Sequence, residues 1–174
     1  MKLIAAVDSR GAIGRSDGSL LFHIPEDMAR FKELTMGTTV IMGRKTLESL
    51  PGGKPLAGRR NIVLTRNGDY SCEGAEICRS AAELRELCEG IPGEKFVIGG
   101  GEIYRLLMPL CDKAYITRID ADGGGDVFMP PFGEMWQLEK RSEVYEHNGI
   151  SYRFEEYKRN AILPSCLMQG VVNG

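Results

Sequence analysis

Short apolar runs rich in β-branched residues alternate with helical patterns over the first 120 residues of this 174-residue chain. Lys2–Val7, Thr38–Met42 and Phe96–Ile98 have the length and composition of buried strands. Between the first two, Pro25 can open a helix, because its fixed φ suits the first helical position. Strands that alternate with helices in this way form parallel sheets covered by helices on both faces. The pattern therefore predicts an α/β domain.

The remaining segments continue this pattern. Further strands are predicted at Asn61–Thr65, Ala75–Cys78 and Ala114–Ile119, and further helices after Gly43, from Ser80 to Cys88 and from Glu102 to Met108, with Ser9–Ser19 as a glycine-rich loop. Two strand-like segments, Gln137–Tyr145 and Ile150–Tyr157, flank Asn148-Gly149, a dipeptide that favours a hairpin turn. We therefore predict one domain over residues 1–159, with a mostly parallel central sheet, flanking helices and a C-terminal antiparallel hairpin.

Residues 160–174 form a C-terminal extension that contains no charged side chain and many apolar ones. An exposed segment this apolar favours aggregation. We therefore expect either a tail without fixed structure or a segment that packs on this subunit or on a neighbour. Its role is not indicated by the sequence.

The formal net charge of −2 hides an uneven distribution. Residues 1–66 contain 11 Lys and Arg against 6 Asp and Glu, whereas residues 67–174 contain 11 against 18. The basic N-terminal third could suit an anionic ligand, although one part of a sequence need not form one face of a fold. The negative total argues against nucleic acid as a partner.

The five cysteines cannot all pair with one another, and none stands at C-x-x-C spacing, so we expect no zinc site and no other metal. The N-terminus lacks the features of a signal peptide, and no apolar stretch reaches the roughly 20 residues of a membrane span. We expect a cytoplasmic protein with reduced thiols, without membrane attachment, that acts as a monomer.

Three of the predicted strands end in residues that suit phosphate. One runs into Gly99-Gly100-Gly101, one into Gly43-Arg44-Lys45-Thr46, and one into Thr65-Arg66. Glycines let the backbone approach an anion closely, and the N–H groups at a helix start favour phosphate. Neither glycine segment matches the dinucleotide fingerprint or the phosphate loop of nucleotide hydrolases, and each alone could be a tight turn. Because the carboxyl ends of parallel strands share one edge, the set predicts nucleotide binding.

Asp27 is the acid with the clearest functional indication. It precedes Phe31 by four residues and so shares the apolar side of the predicted helix, whereas Glu26 is expected to point to solvent. Acids are also common at helix starts for purely electrostatic reasons. A carboxylate near a core needs a partner, and burial raises its pKa, so Asp27 could bind paired N–H groups or transfer a proton. Arg59 or Arg60 could bind a carboxylate through its guanidinium fork, or could be an ordinary surface residue.

From about Leu3 to Tyr157, the chain resembles the dihydrofolate reductase family. The motifs that carry the resemblance are Ile4-Ala5-Ala6, Ile13-Gly14, Pro25-Glu26-Asp27 with Phe31-Lys32, Val40-Ile41-Met42-Gly43-Arg44-Lys45-Thr46, Gly58-Arg59-Arg60-Asn61-Ile62, Ile98-Gly99-Gly100-Gly101 with Tyr104, and Thr117-Arg118-Ile119-Asp120. The family reduces 7,8-dihydrofolate to 5,6,7,8-tetrahydrofolate with NADPH, which supports one-carbon metabolism. The resemblance implies the same activity here, with dihydrofolate and NADPH as small-molecule partners.

The resemblance also implies a substrate site. Asp27 would hydrogen-bond the pterin and promote protonation of its N5 atom, with support from Thr117. Arg59 would bind the α-carboxylate of the glutamyl tail, with Lys54 nearby. The other implied substrate-site residues are Ile4, Ala5, Phe31, Leu50, Leu56 and Ile98, and among them Phe31, Leu50 and Leu56 would surround the benzoyl group.

For NADPH, the resemblance implies backbone contacts from Ala6 and Ile13 to the carboxamide. Thr46 and Gly99–Glu102 would bind the pyrophosphate. The side chains implied around the 2′-phosphate are Arg44, Lys45, Thr65, Arg66 and Arg79. A cluster of cations there favours NADPH over NADH. The remaining implied cofactor-site residues are Gly14, Gly43, Leu64, Ile98, Ile103 and Tyr104.

One departure from the family concerns the catalytic position Phe22. The family usually has Pro-Trp where this chain has Leu21-Phe22. The tryptophan N–H commonly anchors a water near the pterin, and phenylalanine has no donor, so the proton route is expected to differ. The loop Arg15–Ser19 just before it is expected to be a mobile lid. Asp126–Pro130 matches the family pattern only loosely.

Two alternatives remain at this point. A riboflavin-pathway reductase of the same fold, which acts on a ribosylamino-pyrimidine, would share the glycine run and the NADPH site. Asp27, Phe31 and Arg59 favour a pterin with an acidic tail instead. An inactive NADPH- or folate-binding module would be consistent with the loss of Pro-Trp.

Overall fold

The structure, a computed structural model, describes residues 1–160. Its strands are β1 (Lys2–Val7), β2 (Ala12–Gly14), β3 (Thr39–Gly43), β4 (Arg60–Leu64), β5 (Ala75–Cys78), β6 (Lys95–Gly99), β7 (Lys113–Ile119), β8 (Val127–Phe128), β9 (Trp136–Arg141), β10 (Tyr145–His147) and β11 (Ile150–Arg159). Its helices are α1 (Pro25–Thr35), α2 (Arg44–Ser49), α3 (Ala81–Glu89) and α4 (Gly101–Leu107), with short 3₁₀ turns at Pro51–Gly53 and Met108–Leu110.

The central sheet has the order β10-β11-β7-β1-β6-β3-β4-β5, with β9 also paired to β11. The strands from β7 to β5 run parallel, and β11 returns antiparallel along β7. This arrangement confirms the predicted α/β fold with a mostly parallel sheet and a C-terminal antiparallel hairpin. Where the observed strands and helices end at other residues than predicted, most of the differences are one or two residues.

Successive side chains of a strand point to opposite faces of the sheet, so an apolar core forms on each face. Leu3 belongs to the cluster on the face covered by α3 and α4, and its neighbour Ile4 belongs to the cluster on the face of α1 and α2. Phe31 and Leu34 of α1 pack against the second cluster, but Met28 on the same apolar stripe is 45% exposed. The first turns of α1 therefore border an open cleft.

Two local predictions were wrong. Gln137–Tyr145 is not one strand but two, β9 and β10, because both halves of Ser142 bond to Phe154: its N–H donates to the Phe154 carbonyl, and its hydroxyl accepts from the Phe154 N–H, each at 2.9 Å. The loop Ser9–Ser19 contains β2, which pairs with β8. Pairing partners more than 100 residues away are not visible in the local pattern.

The apolar extension predicted for 160–174 lies outside the described residues, apart from Asn160. Across residues 1–160, no helix has the length and apolar character needed to cross a membrane. The four cysteines in that range are free thiols, and the same range holds no cluster of three or more metal-ligating side chains.

Candidate active site

The carboxyl ends of β3, β4 and β6 meet at one edge of the sheet. Gly43 is paired with Leu64, and Met42 with Gly99, so these strands end at almost the same level. The edge therefore brings together the three segments that were expected to bind phosphate: Gly43–Thr46, Thr65–Arg66 and Gly99–Glu102.

The glycines at this edge lie so close to neighbouring side chains that a Cβ atom would crowd them. A Cβ atom on Gly43 would lie 3.0 Å from Ile103 Cγ1, and one on Gly100 would lie 3.4 Å from the Thr46 hydroxyl. Gly99 has φ +128°, a conformation that residues with side chains rarely adopt. The Gly99–Gly100 peptide bond is cis. The Thr46 hydroxyl thus faces an open backbone cradle.

The cations expected near this cradle are not equivalent. Arg44 pairs with Glu48 at 2.9 Å, and both side chains stay partly exposed, whereas Lys45 and Arg66 are exposed. Arg79 donates to the backbone carbonyls of Asn67, Gly68 and Tyr70, and so orders the loop after β4. Arg44, Lys45 and Arg66 are the cations best placed for an anion.

Ile103 and Tyr104 support the edge from within. Ile103 is buried against Gly43, and the buried Tyr104 hydroxyl donates to the Ile4 carbonyl at 2.6 Å. Burial raises the pKa of Tyr104, so this phenol stays protonated. Tyr104 thereby ties α4 to β1, the strand that carries Ala5 and Ala6.

Asp27 lies in the first turn of α1, where the helix faces β7. The buried Thr117 hydroxyl donates to its Oδ1 atom. Burial raises the pKa of the Asp27 carboxyl, while the hydrogen bond from Thr117 and the charge of Arg30 oppose that rise. Glu26 is 54% exposed, as expected, and its carboxylate lies 3.7 Å from His147.

A small cavity of about 50 Å³ opens beside Asp27. Its wall is formed by residues of β1, β2, β7, α1 and the segment before α1: Ala6, Asp8, Ile13, Leu20, Leu21, Phe22, Ile24, Asp27, Met28 and Ile119. Phe22 is thus brought next to Asp27, and its ring supplies apolar surface without a hydrogen-bond donor.

Beyond this cavity the cleft continues over an apolar surface. Phe31, Leu50, Leu56 and Ile98 are partly exposed and pack against one core cluster, so they form a continuous wall. Lys54 is exposed beyond it, whereas Ile4 is buried within the cluster and Ala5 packs toward the other face.

Arg59 is fixed at the far end of this wall. Its Nη1 donates to the Ala57 carbonyl at 2.7 Å, and its Nε lies 3.2 Å from the hydroxyl of Thr35. Thr35 in turn donates to the Phe31 carbonyl at 2.7 Å. Nη2 has no protein partner within residues 1–160, so one side of the guanidinium stays available to a ligand.

The loop before Phe22 is docked onto the loop before β8. Arg15 donates to the Gly123 carbonyl at 2.6 Å, and both the N–H and the hydroxyl of Ser16 donate to Asp126 at 2.7 Å. These bonds hold the pKa of the Asp126 carboxyl below its usual value. A Cβ atom on Gly123 would lie 2.7 Å from Leu21 Cβ, so the contact is tight.

Three polar residues that organise the site were not found from the sequence. Asp8 is buried and accepts from the backbone N–H groups of Arg10, Ala12 and Gly123. Thr35 orients Arg59, and Arg30 is largely withdrawn from solvent near Asp27. Only Arg30 could have been recognised from the sequence, because a cation three residues after Asp27, on the apolar side of a helix, is unusual.

A larger recess of about 240 Å³ lies at the opposite edge, near the starts of β3, β4 and β6. Its charged groups are already paired, Arg60 with Glu76 and Glu94 with Lys2. Its lining includes neither Asp27 nor Gly43, Gly99 or Gly100. We therefore place the active site at the edge with Asp27.

Comparisons with known proteins agree with this geometry. The family model described as "Dihydrofolate reductase" matches residues 1–159. A dihydrofolate reductase of Mycobacterium leprae is 43% identical over 162 residues, which are 91% of this chain and 97% of that protein. One of Neisseria meningitidis serogroup A is 44% identical over 159 residues, 90% and 96% of the two chains.

Among solved structures, a dihydrofolate reductase from Enterococcus faecalis complexed with NADP(H) superimposes with a TM-score of 0.85 at 35% sequence identity. The match covers 92% of this chain and 96% of that one. The similarity therefore includes the glycine edge, the cleft and the helix that carries Asp27.

Proposed function

Because the chain belongs to the dihydrofolate reductase family and reduces 7,8-dihydrofolate to 5,6,7,8-tetrahydrofolate with NADPH, we propose that Asp27 anchors the pterin and promotes protonation of its N5 atom. The observation that carries this role is the placement of a carboxylate of raised pKa in the wall of the cleft, with Thr117 bonded to one oxygen. The other oxygen can then accept from the paired N–H groups of a pterin edge.

Phe22 lines the cavity and packs against the buried cluster of Ile24, Ile119 and Tyr152. With no donor on its ring, it excludes water rather than positioning it, and in a drier site the charge of Asp27 acts more strongly on the pterin. The loop 15–22 closes over the site through the contacts of Arg15 and Ser16 with the 123–126 loop.

The apolar wall fits the benzoyl part of the substrate, and Arg59 fits its tail. Phe31, Leu50 and Leu56 supply the partly exposed apolar surface. Arg59 is held by Thr35 and Ala57 so that its remaining N–H groups can form a two-pronged bond to the α-carboxylate, with Lys54 nearby. Pre-orientation lowers the entropy lost on binding.

Arg59→Ala should raise KM for dihydrofolate about 30-fold, the size expected when a charge-assisted hydrogen bond is lost. KM for a reducible pterin without the glutamyl tail should stay unchanged, because that substrate never meets Arg59. Steady-state kinetics with both substrates measure the difference. Arg60→Ala is the matched control, since Arg60 pairs with Glu76 away from the cleft. Equal losses for the two substrates would refute the role of Arg59.

The glycine edge fits NADPH. The side-chain-free backbone at Gly100, and the Thr46 hydroxyl facing it, suit a pyrophosphate, with Gly99–Glu102 as its other contacts. Arg44, Lys45, Thr65 and Arg66 suit the 2′-phosphate, and Arg79 orders the adjacent loop. Backbone groups of Ala6, Ile13 and Gly14 lie on the nicotinamide side. When bound, NADPH supplies the hydride that reduces the pterin.

Replacing Arg66 by Ala should weaken NADPH binding by about tenfold and leave NADH binding unchanged, because only NADPH carries the 2′-phosphate. Fluorescence titration with each cofactor tests this prediction. Arg105→Ala, which removes an exposed arginine of α4, serves as the control. A parallel loss for both cofactors would place Arg66 outside the 2′-phosphate site.

We further propose that residues 1–159 form the catalytic domain, with 160–174 as an appended segment. The protein is proposed to act as a cytoplasmic monomer, without nucleic-acid or membrane partners. The free thiols among residues 1–160 and the completeness of the cleft within one chain support this proposal. Sedimentation at micromolar concentration tests it.

A further inference from the structure

Arg30 occupies an unusual position for an arginine. It lies one turn after Asp27 on α1, and its side chain is only 16% exposed. The guanidinium stacks over the ring of Phe154 at 4.4 Å and lies 5.6 Å from the ring of Tyr115. A permanent positive charge is therefore held against aromatic surface inside the protein.

Tyr115 and Phe154 both lie next to Thr117, the hydrogen-bond partner of Asp27. Tyr115 and Thr117 project from the same face of β7, and Phe154 is the cross-strand neighbour of Thr117. Positions 27 and 30 of a helix lie on the same side. The Arg30 guanidinium thus lies beside the Asp27–Thr117 pair without a direct ion pair to the carboxylate.

The charge of Arg30 is only partly compensated. Its nearest carboxylate, Glu156, is 3.9 Å from Nη2, and Glu156 is shared with Lys113, which approaches to 2.8 Å. Nη1 is buried and has no hydrogen-bond partner within residues 1–160. Because solvent does not screen a buried charge well, the field of Arg30 reaches Asp27.

Other titratable groups act on this pair from each packed element. They are Glu33 on α1, Tyr115 and Lys113 on β7, Tyr104 on α4, and Tyr152 and Glu156 on β11. Burial raises the pKa of the Tyr104 and Tyr152 phenols, and Lys113 is engaged with Glu156. Arg30 is the cation whose charge lowers the pKa of Asp27, and Glu156 is the carboxylate that pairs with Arg30.

We propose that Arg30 is a positioning residue for the reduction, whose positive charge stabilises the ionised Asp27 carboxylate and so sets the pH range in which Asp27 can serve the pterin. The proposal rests on the role proposed for Asp27. Burial raises the pKa of Asp27, and the charge of Arg30 limits that rise. Without the charge, Asp27 keeps its proton to higher pH, and the alkaline fall in hydride-transfer rate moves to higher pH with it.

The test titrates Asp27 directly in the full chain. Carbon-13 NMR of labelled aspartate carboxyls, assigned with Asp27→Asn, gives its titration midpoint. Arg30→Met, which keeps an unbranched apolar side chain and removes the charge, should raise the midpoint by about one pH unit. Arg30→Lys should restore most of the wild-type value. Glu156→Gln should shift the midpoint in the opposite direction, because it removes the carboxylate that offsets Arg30.

If Arg30→Met folds and the titration midpoint of Asp27 is unchanged, the proposal is wrong. If Arg30→Met does not fold, an unchanged midpoint in Glu156→Gln overturns the proposal instead. Single-turnover rates against pH provide the second measurement. A parallel shift of rate profile and midpoint supports the proposal. If the midpoint moves but the rate profile does not, the proposed role of Asp27 in protonation is wrong. The coupling between Arg30 and Asp27 is then still established.

Discussion

Asp27→Asn should lower the rate of hydride transfer at pH 7 by about 10²- to 10³-fold, the lower part of the range by which a positioned acid or base accelerates a reaction. The amide keeps the shape of the carboxyl and can still accept from Thr117, so the cleft should stay intact. It cannot hold the transferable proton or balance the charge of a protonated pterin. Single-turnover loss of NADPH absorbance measures the effect.

The pH dependence distinguishes this role from a structural one. The variant lacks the titrating carboxyl, so its deficit should shrink toward acid pH, where solvent protonates the substrate directly. NADPH affinity should not change, because the cradle at Gly43 and Gly99–Glu102 is formed by other elements. Glu26→Gln, one residue away and exposed, is the matched control and should retain full activity. An unchanged rate in Asp27→Asn would remove Asp27 from the mechanism.

The fold was largely predictable because its strands are short, apolar and separated by strong turn signals. Pro25, Ser80 and Asn148-Gly149 mark the starts of α1 and α3 and the β10–β11 turn, each from local chemistry alone. The division of β9 from β10 depends on Ser142 bonding to Phe154, 12 residues away. β2 forms only because β8 is delivered to it from a distant loop. Such pairings depend on the folded topology.

The site divides in the same way. Asp27 could be singled out because helical spacing places it beside Phe31, but its hydrogen bond to Thr117 joins residues 90 positions apart. Arg79 shows the opposite case. Its position in the sequence suggested a phosphate ligand, but in the structure it donates to backbone carbonyls of the loop after β4. Residues whose partners are far along the chain, such as Thr35 with Arg59, cannot be recognised from the local sequence.

Glu155→Ala should lower the free energy of unfolding by about 3 kcal/mol, at the lower end for a broken buried ion pair, because the arginines around it can turn to water. Glu155 is 1% exposed and accepts from Arg141 and Arg153 at 3.0 and 2.9 Å and from the Tyr157 hydroxyl at 2.7 Å. Removal of its side chain leaves a cavity at β11, and the positive charges of Arg141 and Arg153 then face each other without a carboxylate between them. Thermal denaturation should show a fall in Tm of roughly 10 °C.

The pH dependence of this stabilisation has a definite sign. Burial by itself would raise the pKa of Glu155, but the bonds from Tyr157 and Arg153 and the charges of Arg118 and Arg141 hold it below the usual value. The ionised form therefore stabilises the fold above the unfolded pKa of about 4.3, and this stabilisation is lost as the pH falls through the lower folded value. Glu155→Gln should accordingly be less stable than the wild type at pH 7 and approach it near pH 3. Glu143→Gln, at an exposed position on the same edge, should match the wild type at both pH values. A deficit for Glu155→Gln that stays constant from pH 7 to pH 3 would show that packing, rather than charge, makes this carboxylate stabilising.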